Sequence, residues 1–222
     1  MPSRVRILIA DDHTLVAELC KKLLEAEFEV VGIVNNGGAL VRMAAELKPD
    51  VIVVDIAMPV LNGLDASQQV KEILPNVKVV FLTMSPDADV VVEAFRRGAS
   101  GYLLKTCAAA EMVTAVREVL RGKSYLSRTL PRDTIGYLRR QGKERIEEGE
   151  RLTERQREVL QLLAEGRVMK EVGSILGMTV RTVAFHKYRI MSVLGVKTSA
   201  ELVRYAVRNH MVAAQSWSAR AS

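Results

Sequence analysis

Polar side chains that could bind a divalent cation and a phosphoryl group recur at the ends of apolar runs in the first half of the chain. They are Asp11 and Asp12, Asp55, Thr83 and Lys105. Carboxylates bind Mg²⁺ together with phosphate oxygens and water, and cations stabilise the charge of a phosphoryl group in transfer. A carboxylate can also attack phosphorus as a nucleophile. The residue types therefore predict cation and phosphoryl chemistry.

The apolar runs predict the elements that position these side chains. The runs are mostly β-branched and cover residues 5–10, 51–54, 77–82 and 102–104. Runs that are apolar on both faces are typical of parallel strands covered by helices. In such sheets ligands bind beyond the carboxyl ends of the strands, where the strand order reverses. We therefore expect the five polar side chains to meet at one edge of one sheet.

Helices alternate with strands over residues 1–127. A further strand is predicted at 28–34, and the residues predicted to stop helices are Pro49, Pro75, Gly98 and Gly122. Five βα units with right-handed crossovers predict an α/β domain with a doubly wound, five-stranded parallel sheet in three layers.

The rest of the chain has a different pattern. Apolar residues are sparse and charges alternate over residues 128–150, which predicts a linker. Residues 151–213 are predicted to be all-helical, with capping boxes at Thr153 and Thr198. Two helices, 170–176 and 179–194, are separated by a short turn, which is the spacing of a helix-turn-helix. Residues 214–222 are small and polar and are predicted to be a disordered tail.

Charge is distributed unevenly between the two halves. The chain is 49% hydrophobic and 26% charged, which is a globular composition, and its net charge is +6. Residues 1–127 carry 14 basic and 16 acidic side chains, whereas residues 128–222 carry 18 and 10. The second half therefore has a balance of +8, which favours a polyanionic partner.

A cytoplasmic location is predicted from the absence of membrane and secretion signals. No stretch approaches the roughly 18 apolar residues of a membrane span, and residues 1–10 lack the features of a signal peptide. Cys20 and Cys107 are the two cysteines, and unpaired thiols suit a reducing compartment. We expect no membrane partner.

The polar motifs resemble the receiver domain of two-component response regulators over residues 4–124. The motifs are Ile9-Ala10-Asp11-Asp12-His13, Val54-Asp55-Ile56-Ala57-Met58-Pro59 with Gly63, Leu82-Thr83, and Gly101-Tyr102-Leu103-Leu104-Lys105. The resemblance implies a flavodoxin-like fold with Asp55 as the phosphoacceptor. It implies that Mg²⁺ is held by Asp11, Asp12, Asp55 and the Ala57 carbonyl. It also implies that Thr83 and Lys105 bind phosphoryl oxygens and that Thr83 and Tyr102 move together as a switch.

Thr106 departs from the receiver pattern, and His13 allows two interpretations. Many receivers have a proline after the lysine, whereas this chain has Thr106, so we expect no cis-proline there. His13 follows the two carboxylates and could be a metal ligand. The resemblance and its loop position instead favour a role at the start of a helix.

The basic half resembles the helix-turn-helix of LuxR-type effector domains, and the whole chain resembles a NarL/FixJ-type response regulator. The residues that carry the likeness include Leu152-Thr153, Lys170-Glu171, Thr182-Val183, His186, and Leu194-Gly195-Val196. The resemblance implies binding to the major groove of double-stranded DNA. The side chains expected at the DNA are Lys170, Arg181, Thr182, Phe185, Lys187, Tyr188 and Arg189.

Helical periodicity separates the two faces of the predicted recognition helix. Val183, Ile190 and Leu194 share one face, with His186 at its margin, so His186 is expected at the edge of the core. Arg181 could bind guanine, and Phe185 could contact only apolar groups such as the thymine methyl. Lys170, Thr182, Lys187 and Arg189 are expected to contact phosphates.

Three positions depart from the LuxR-type pattern. The family commonly has lysine where this chain has Ala184 and Tyr188. Met169 stands where an asparagine is expected to cap a helix. We expect these changes to shift site preference or to increase dependence on dimerisation.

The combined interpretation is a transcriptional regulator that binds DNA and is controlled by phosphorylation from a sensor histidine kinase. The active form is expected to be a homodimer, and the resemblance implies that its effector domains pair through the final helix at Ser199, Leu202, Val203 and Ala206. The chain is expected not to be an enzyme beyond slow self-dephosphorylation. The alternatives are a regulator that binds DNA without phosphorylation, an aspartyl-phosphate phosphohydrolase, and a domain whose output is protein binding.

Overall fold

The apolar runs form parallel strands in the computed structural model, which describes residues 4–130 and 152–212. The described residues form two compact units, one containing residues 4–58 and 63–130, the other containing residues 59–62 and 152–212. Most of the predicted linker and the predicted tail lie outside the described residues. Within the described ranges, no helix is long and apolar enough to span a membrane.

The first unit is a six-stranded parallel sheet with the strand order β2-β1-β3-β4-β5-β6. Its strands are β1 (Arg6–Ala10), β2 (Glu29–Val34), β3 (Val51–Asp55), β4 (Lys78–Thr83), β5 (Gly101–Leu104) and β6 (Tyr125–Leu126). Every residue of the central strand β3 is buried, as expected for a strand covered on both faces. The strand order reverses between β1 and β3, so the carboxyl ends of these strands open a crevice.

Four of the five helices of this unit end two residues before the residues predicted to stop them. The five helices are α1 (Thr14–Leu24), α2 (Gly37–Leu47), α3 (Gly63–Ile73), α4 (Ala88–Arg96) and α5 (Ala108–Leu120). Helix α1 packs against α5 and α2 against α3, and the core on the α1–α5 side includes Ile9, Val53 and Met112. The doubly wound α/β prediction is confirmed, but the sheet has a sixth strand that was not predicted.

The second unit contains four helices in residues 152–212. They are α6 (Glu154–Ala164), α7 (Met169–Leu176), α8 (Val180–Leu194) and α9 (Ser199–Arg208). The predicted capping boxes at Thr153 and Thr198 are both formed, and Thr179 accepts a hydrogen bond from the backbone of Thr182. These caps satisfy backbone N–H groups that the first turn of a helix leaves unpaired.

The turn between α7 and α8 depends on two glycines. Gly177 has a φ of 64°, which is the left-handed conformation that ends α7. A Cβ at Gly173 would lie 2.6 Å from the carbonyl oxygen of Met178, and the Met178 N–H donates to the Gly173 carbonyl. This close approach sets the position of α8 relative to α7.

One predicted helix cap is wrong. The residue at the N-cap of α7 is Val168, one position before Met169, and it provides no side-chain hydrogen bond. The Glu171 carboxylate accepts a hydrogen bond from the Val168 N–H at 3.1 Å. Met169 is thus the first residue of the helix, and the missing cap belongs to Val168.

Candidate phosphoryl and nucleic-acid sites

The carboxylates of the first unit converge at the crevice where the strand order reverses. Asp11 follows β1 directly, and Asp55 is the last residue of β3. Together with Asp12 and His13, they offer one potential metal-ligand atom each, all within 4.8 Å of one another. The sequence prediction therefore placed these carboxylates at the correct edge of the sheet.

Lys105 joins the same cluster from the end of β5. Its Nζ donates to Asp55 Oδ2 at 2.8 Å and to Asp11 Oδ1 at 3.0 Å. Burial acts to lower the pKa of Lys105, but the two carboxylates raise it above its usual value. Burial raises the pKa of Asp55, and Lys105 opposes this shift. The ammonium thus neutralises part of a buried negative charge.

Oxygen ligands for a divalent cation are present in this cluster. Within the described residues, Asp11 Oδ2 is buried and accepts no hydrogen bond, although Lys105 Nζ lies 2.9 Å away. The Asp55 Oδ1 atom accepts one hydrogen bond, from the Ala57 N–H at 3.3 Å. Hard carboxylate oxygens suit Mg²⁺ and similar cations. The acidic cluster can therefore hold a divalent metal ion.

His13 occupies the N-cap position of α1, as predicted for a residue at a helix start. The backbone N–H of His13 donates to Asp11 Oδ1 at 2.9 Å, and the ring atom Nδ1 of His13 lies 2.9 Å from Asp12 Oδ1. The backbone contact orients Asp11 toward the crevice. The geometry also brings the imidazole within reach of the acidic cluster.

Thr83 and Tyr102 meet a common neighbour, Ser85. Thr83 is the last residue of β4, and its hydroxyl accepts a hydrogen bond from the Ser85 N–H at 3.1 Å. Tyr102 is fully buried, and its hydroxyl donates to the Ser85 carbonyl at 2.9 Å. Burial raises the pKa of Tyr102 above its usual value. Sequence reasoning missed Ser85, since a serine before a proline reads simply as a turn.

The segment after Lys105 has the predicted trans geometry. Thr106 lies in a short 3₁₀ helix (Lys105–Cys107), and the described residues contain no cis peptide bond. The lysine nevertheless reaches both Asp55 and Asp11 from this turn. A proline after the lysine is therefore not required to aim the ammonium at the cluster.

The second unit exposes most of the side chains expected at DNA. The exposed ones are Lys170, Arg181, Thr182, Phe185, Tyr188 and Arg189. Lys187 is half-buried and its Nζ donates to Ser199 Oγ at 2.9 Å, so it is held against the start of α9. Val183 and Ile190 are fully buried on the opposite face of α8. Helix α8 thus presents a polar and aromatic face to solvent.

His186 lies at the margin of the core, as predicted. It is half-buried, and its Nδ1 is buried with no hydrogen-bond partner among residues 4–130 and 152–212. Its ring meets that of Phe185 edge to face, with ring centroids 5.9 Å apart. The imidazole of His186 therefore packs against the exposed ring of Phe185.

The expected dimerisation residues divide into two groups. Leu202 and Ala206 are 2% and 0% exposed and belong to the core of their own domain. The prediction that they contact a second copy is therefore corrected, because a fully buried side chain contacts only its own domain. Ser199 is exposed, and Val203 is half-buried at the margin of the same core.

Comparison with protein families supports the same division of the chain. Residues 7–117 match the response regulator receiver domain, and residues 150–206 match the luxR family of bacterial regulatory proteins.

Full-length relatives share both parts. The transcriptional regulatory protein LiaR of Bacillus subtilis strain 168 is 38% identical over 94% of this chain and 99% of its own length. The response regulator protein VraR of Staphylococcus aureus strain NCTC 8325 is 34% identical over the same shares. The solved complex of the response regulator RcsB with DNA is 25% identical, covers 91% of this chain and 98% of that one, and has a TM-score of 0.54.

A parallel sheet with an acidic edge and a separate helix-turn-helix unit define a receiver combined with a DNA-binding effector. The chain belongs to the response regulators that carry a LuxR-type helix-turn-helix domain.

Proposed function

We propose that the chain is a DNA-binding transcriptional regulator whose activity is controlled by phosphorylation of Asp55. The observation that carries the proposal is the contact of Lys105 with Asp55 inside a cluster of carboxylates. A structural ion pair needs one carboxylate for the lysine, whereas this cluster contains further acids that can hold a cation. A site that must accept a phosphoryl group needs this combination.

The chain's own residues have defined parts in the transfer. A carboxylate oxygen of Asp55 attacks phosphorus, and the bond from phosphorus to the leaving group of the donor breaks. Asp11, Asp12 and the Ala57 carbonyl, together with Asp55, would hold Mg²⁺, which supplies positive charge against the phosphoryl oxygens. Lys105 exchanges its contact with Asp55 for a phosphoryl oxygen, and Thr83 donates a hydrogen bond to another.

The new charge is coupled to the surface of the receiver through Ser85. Phosphorylation adds acceptor oxygens and negative charge next to Thr83. If the Thr83 hydroxyl turns to the phosphoryl group, it loses its contact with the Ser85 N–H, and the Tyr102 hydroxyl contacts the same residue. The β4–α4 loop and Tyr102 would then adopt a second arrangement that favours the active form, which we expect to be a homodimer.

Family membership supports a proposal for the source and the target of the signal. A sensor histidine kinase supplies the phosphoryl group, and the two free thiols suit the cytoplasm. The target is double-stranded DNA, read in the major groove by α8. We infer no enzymatic turnover beyond slow self-dephosphorylation, so the protein acts as a switch.

A labelling experiment tests the proposal. Full-length protein is incubated with an acyl phosphate and Mg²⁺, and incorporation is measured by mass spectrometry for wild type, Asp55→Asn and the exposed control Asp89→Asn. We expect one phosphoryl group in wild type and Asp89→Asn and none in Asp55→Asn, with tighter DNA binding after labelling. DNA binding that is unaffected by labelling would favour a regulator independent of phosphorylation, and rapid multiple turnover would favour a phosphohydrolase.

A further inference from the structure

Two large aromatic side chains project into solvent from α8. Phe185 and Tyr188 are 67% and 66% exposed. They are three residues apart, so they lie on the same side of a helix with about 3.6 residues per turn. Val183 and Ile190 anchor the opposite side in the core. The packing of the helix therefore holds both aromatic rings outward.

Basic side chains surround these rings. Arg181 and Arg189 on α8 and Lys170 on α7 are all exposed. An apolar protein partner would leave these three cations to be desolvated without compensation, which is costly. Duplex DNA provides phosphates for the cations and base edges for the rings. The charge around the aromatic pair thus favours DNA as the occupant of this surface.

The chemistry of the two rings restricts what they can recognise. Phenylalanine has no hydrogen-bond donor or acceptor, so Phe185 cannot read the polar pattern of base edges. The apolar feature of the major groove is the C5-methyl group of thymine. Ala184 lies one helix position before Phe185, and its methyl side chain has no polar group that could contact a base.

We propose that Phe185 and Tyr188 recognise thymine methyl groups, so that thymine is preferred where α8 enters the major groove. The inference rests on the proposed DNA-binding function and identifies the residues that set its sequence preference. Arg181 contributes any guanine contact, while Arg189 and Lys170 bind phosphates and carry no sequence information. The edge contact between His186 and Phe185 limits the freedom of the Phe185 ring before DNA binds.

The experiment compares duplexes that differ only in these methyl groups. Phosphorylated full-length protein first selects binding sites from a pool of random duplexes. The selected duplex is then made with uracil in place of each thymine, which removes the methyl group and keeps base pairing. For wild type we expect about fourfold weaker binding for each methyl contact that is lost, because one buried methyl group is worth ~0.8 kcal/mol.

The variants separate methyl recognition from general binding. Phe185→Ala should bind the thymine duplex more weakly and lose the difference between thymine and uracil at one position, as in a double-mutant cycle. Tyr188→Phe should keep the difference, since the ring remains. Arg189→Ala should weaken both duplexes equally and reduce the salt dependence of binding. Ile175→Ala is the matched control, because it also truncates an exposed apolar side chain, on α7.

The outcomes distinguish the two levels of the proposal. If phosphorylated wild type retains no duplex from the pool, the proposed DNA-binding function is wrong. If wild type binds thymine and uracil duplexes equally, or if Phe185→Ala keeps the full thymine preference, DNA binding stands and methyl recognition by this pair is overturned. The melting temperatures of Phe185→Ala and Phe185→Leu confirm folding, and Phe185→Leu should retain part of the thymine preference.

Discussion

Lys105 Nζ lies 2.8 Å from Asp55 Oδ2, and this ion pair sets the electrostatic balance of the acidic edge of the sheet. The lysine also contacts Asp11, so one cation is shared by two buried carboxylates. Asp55 is 3% exposed, and burial raises its pKa in spite of Lys105, so its ionised form is only partly compensated. Additional positive charge at this site would therefore be stabilising.

Replacing Asp55 by asparagine should stabilise the receiver at neutral pH. Burial raises the pKa of Asp55, so the folded state binds this proton more tightly than the unfolded state. Stability is consequently lost as pH rises through the folded pKa. We expect Asp55→Asn to increase the free energy of unfolding by on the order of 1 kcal/mol at pH 7.5. Urea unfolding measures the change.

The pH and metal dependence of this effect provide its controls. The advantage of Asp55→Asn should shrink as pH falls toward about 4, where the wild-type carboxyl becomes protonated in both states. Mg²⁺ should stabilise wild type more than the variant, because it binds the folded carboxylates. A gap between wild type and variant that stays constant from pH 8 to pH 4 would contradict the electrostatic explanation.

Gly63 is predicted to be irreplaceable at the start of α3. A Cβ at this position would overlap the carbonyl oxygen of Asp55, and the Gly63 N–H donates to the Ile56 carbonyl at 2.8 Å. We expect Gly63→Ala to lower the free energy of unfolding by about 3 kcal/mol and to slow phosphorylation, since backbone must move next to Asp55.

Gly122→Ala is the control, because nothing lies within 4 Å of its Cβ position. Its positive φ should cost only about 1 kcal/mol. A loss in Gly63→Ala no larger than the loss in Gly122→Ala would contradict the overlap with the Asp55 carbonyl oxygen.

The positions of helices and of the acidic edge could be predicted because each depends on local signals. Thr153 and Thr198 begin helices through contacts three residues away, and Gly177 ends one through its own φ. The carboxyl ends of β1 and β3, at Ala10 and Asp55, meet because neighbouring parallel strands end at the same edge of the sheet. Predicting this meeting requires only the strand order. Local chemistry and one topological rule were sufficient there.

Features that depend on tertiary packing could not be predicted in this way. The pattern of α9 shows an apolar stripe, but it does not show whether Leu202 and Ala206 face their own core or a second copy. Strand β6 is two residues long, which is too short for a periodic pattern, and its end is fixed by Glu111 from the preceding helix. Ser85 has no sequence signal that distinguishes it from an ordinary turn residue.

Glu111 should be a main stabiliser of β6. Its carboxylate is buried and accepts hydrogen bonds from Ser127 Oγ at 3.0 Å, the Tyr125 hydroxyl at 3.3 Å and the Arg128 N–H at 3.3 Å. Glu111→Ala leaves the buried Ser127 hydroxyl and two partly buried donors without this acceptor. We therefore expect a loss of about 2 kcal/mol in the free energy of unfolding and faster amide exchange at Ser127 and Arg128. Glu118→Ala on the same helix removes only solvent-screened ion pairs with Arg121 and Lys123 and should cost much less than Glu111→Ala. Similar losses for both variants would mean that Glu111 acts only through helix propensity.

The two cysteines should differ in reactivity. Cys20 is fully buried, and burial raises its pKa to about 11, so its thiol stays protonated at neutral pH. Only the thiolate is nucleophilic. Cys107 is partly exposed. We expect iodoacetamide at pH 7.5 to alkylate Cys107 in the native protein and both thiols in urea, as measured by peptide mass spectrometry. Cys107→Ser should abolish the native reaction, and native labelling of Cys20 at a similar rate would contradict its burial.

Glu93 should make the position of α4 sensitive to acid. Burial acts to raise its pKa, but Arg96 and Arg97 lower it below the usual value, and Arg97 also pairs with Asp65 of α3. A lowered folded pKa contributes stability above the unfolded pKa that is lost as pH falls through the folded pKa. We expect Glu93→Gln to cost about 1 kcal/mol at pH 7, and the difference from wild type to shrink as pH falls below about 4 and to vanish below the folded pKa. Chemical unfolding at several pH values measures this gap, and the exposed Glu72→Gln should show almost none. A Glu93→Gln gap that persists in acid would assign the effect to hydrogen-bond geometry instead of charge.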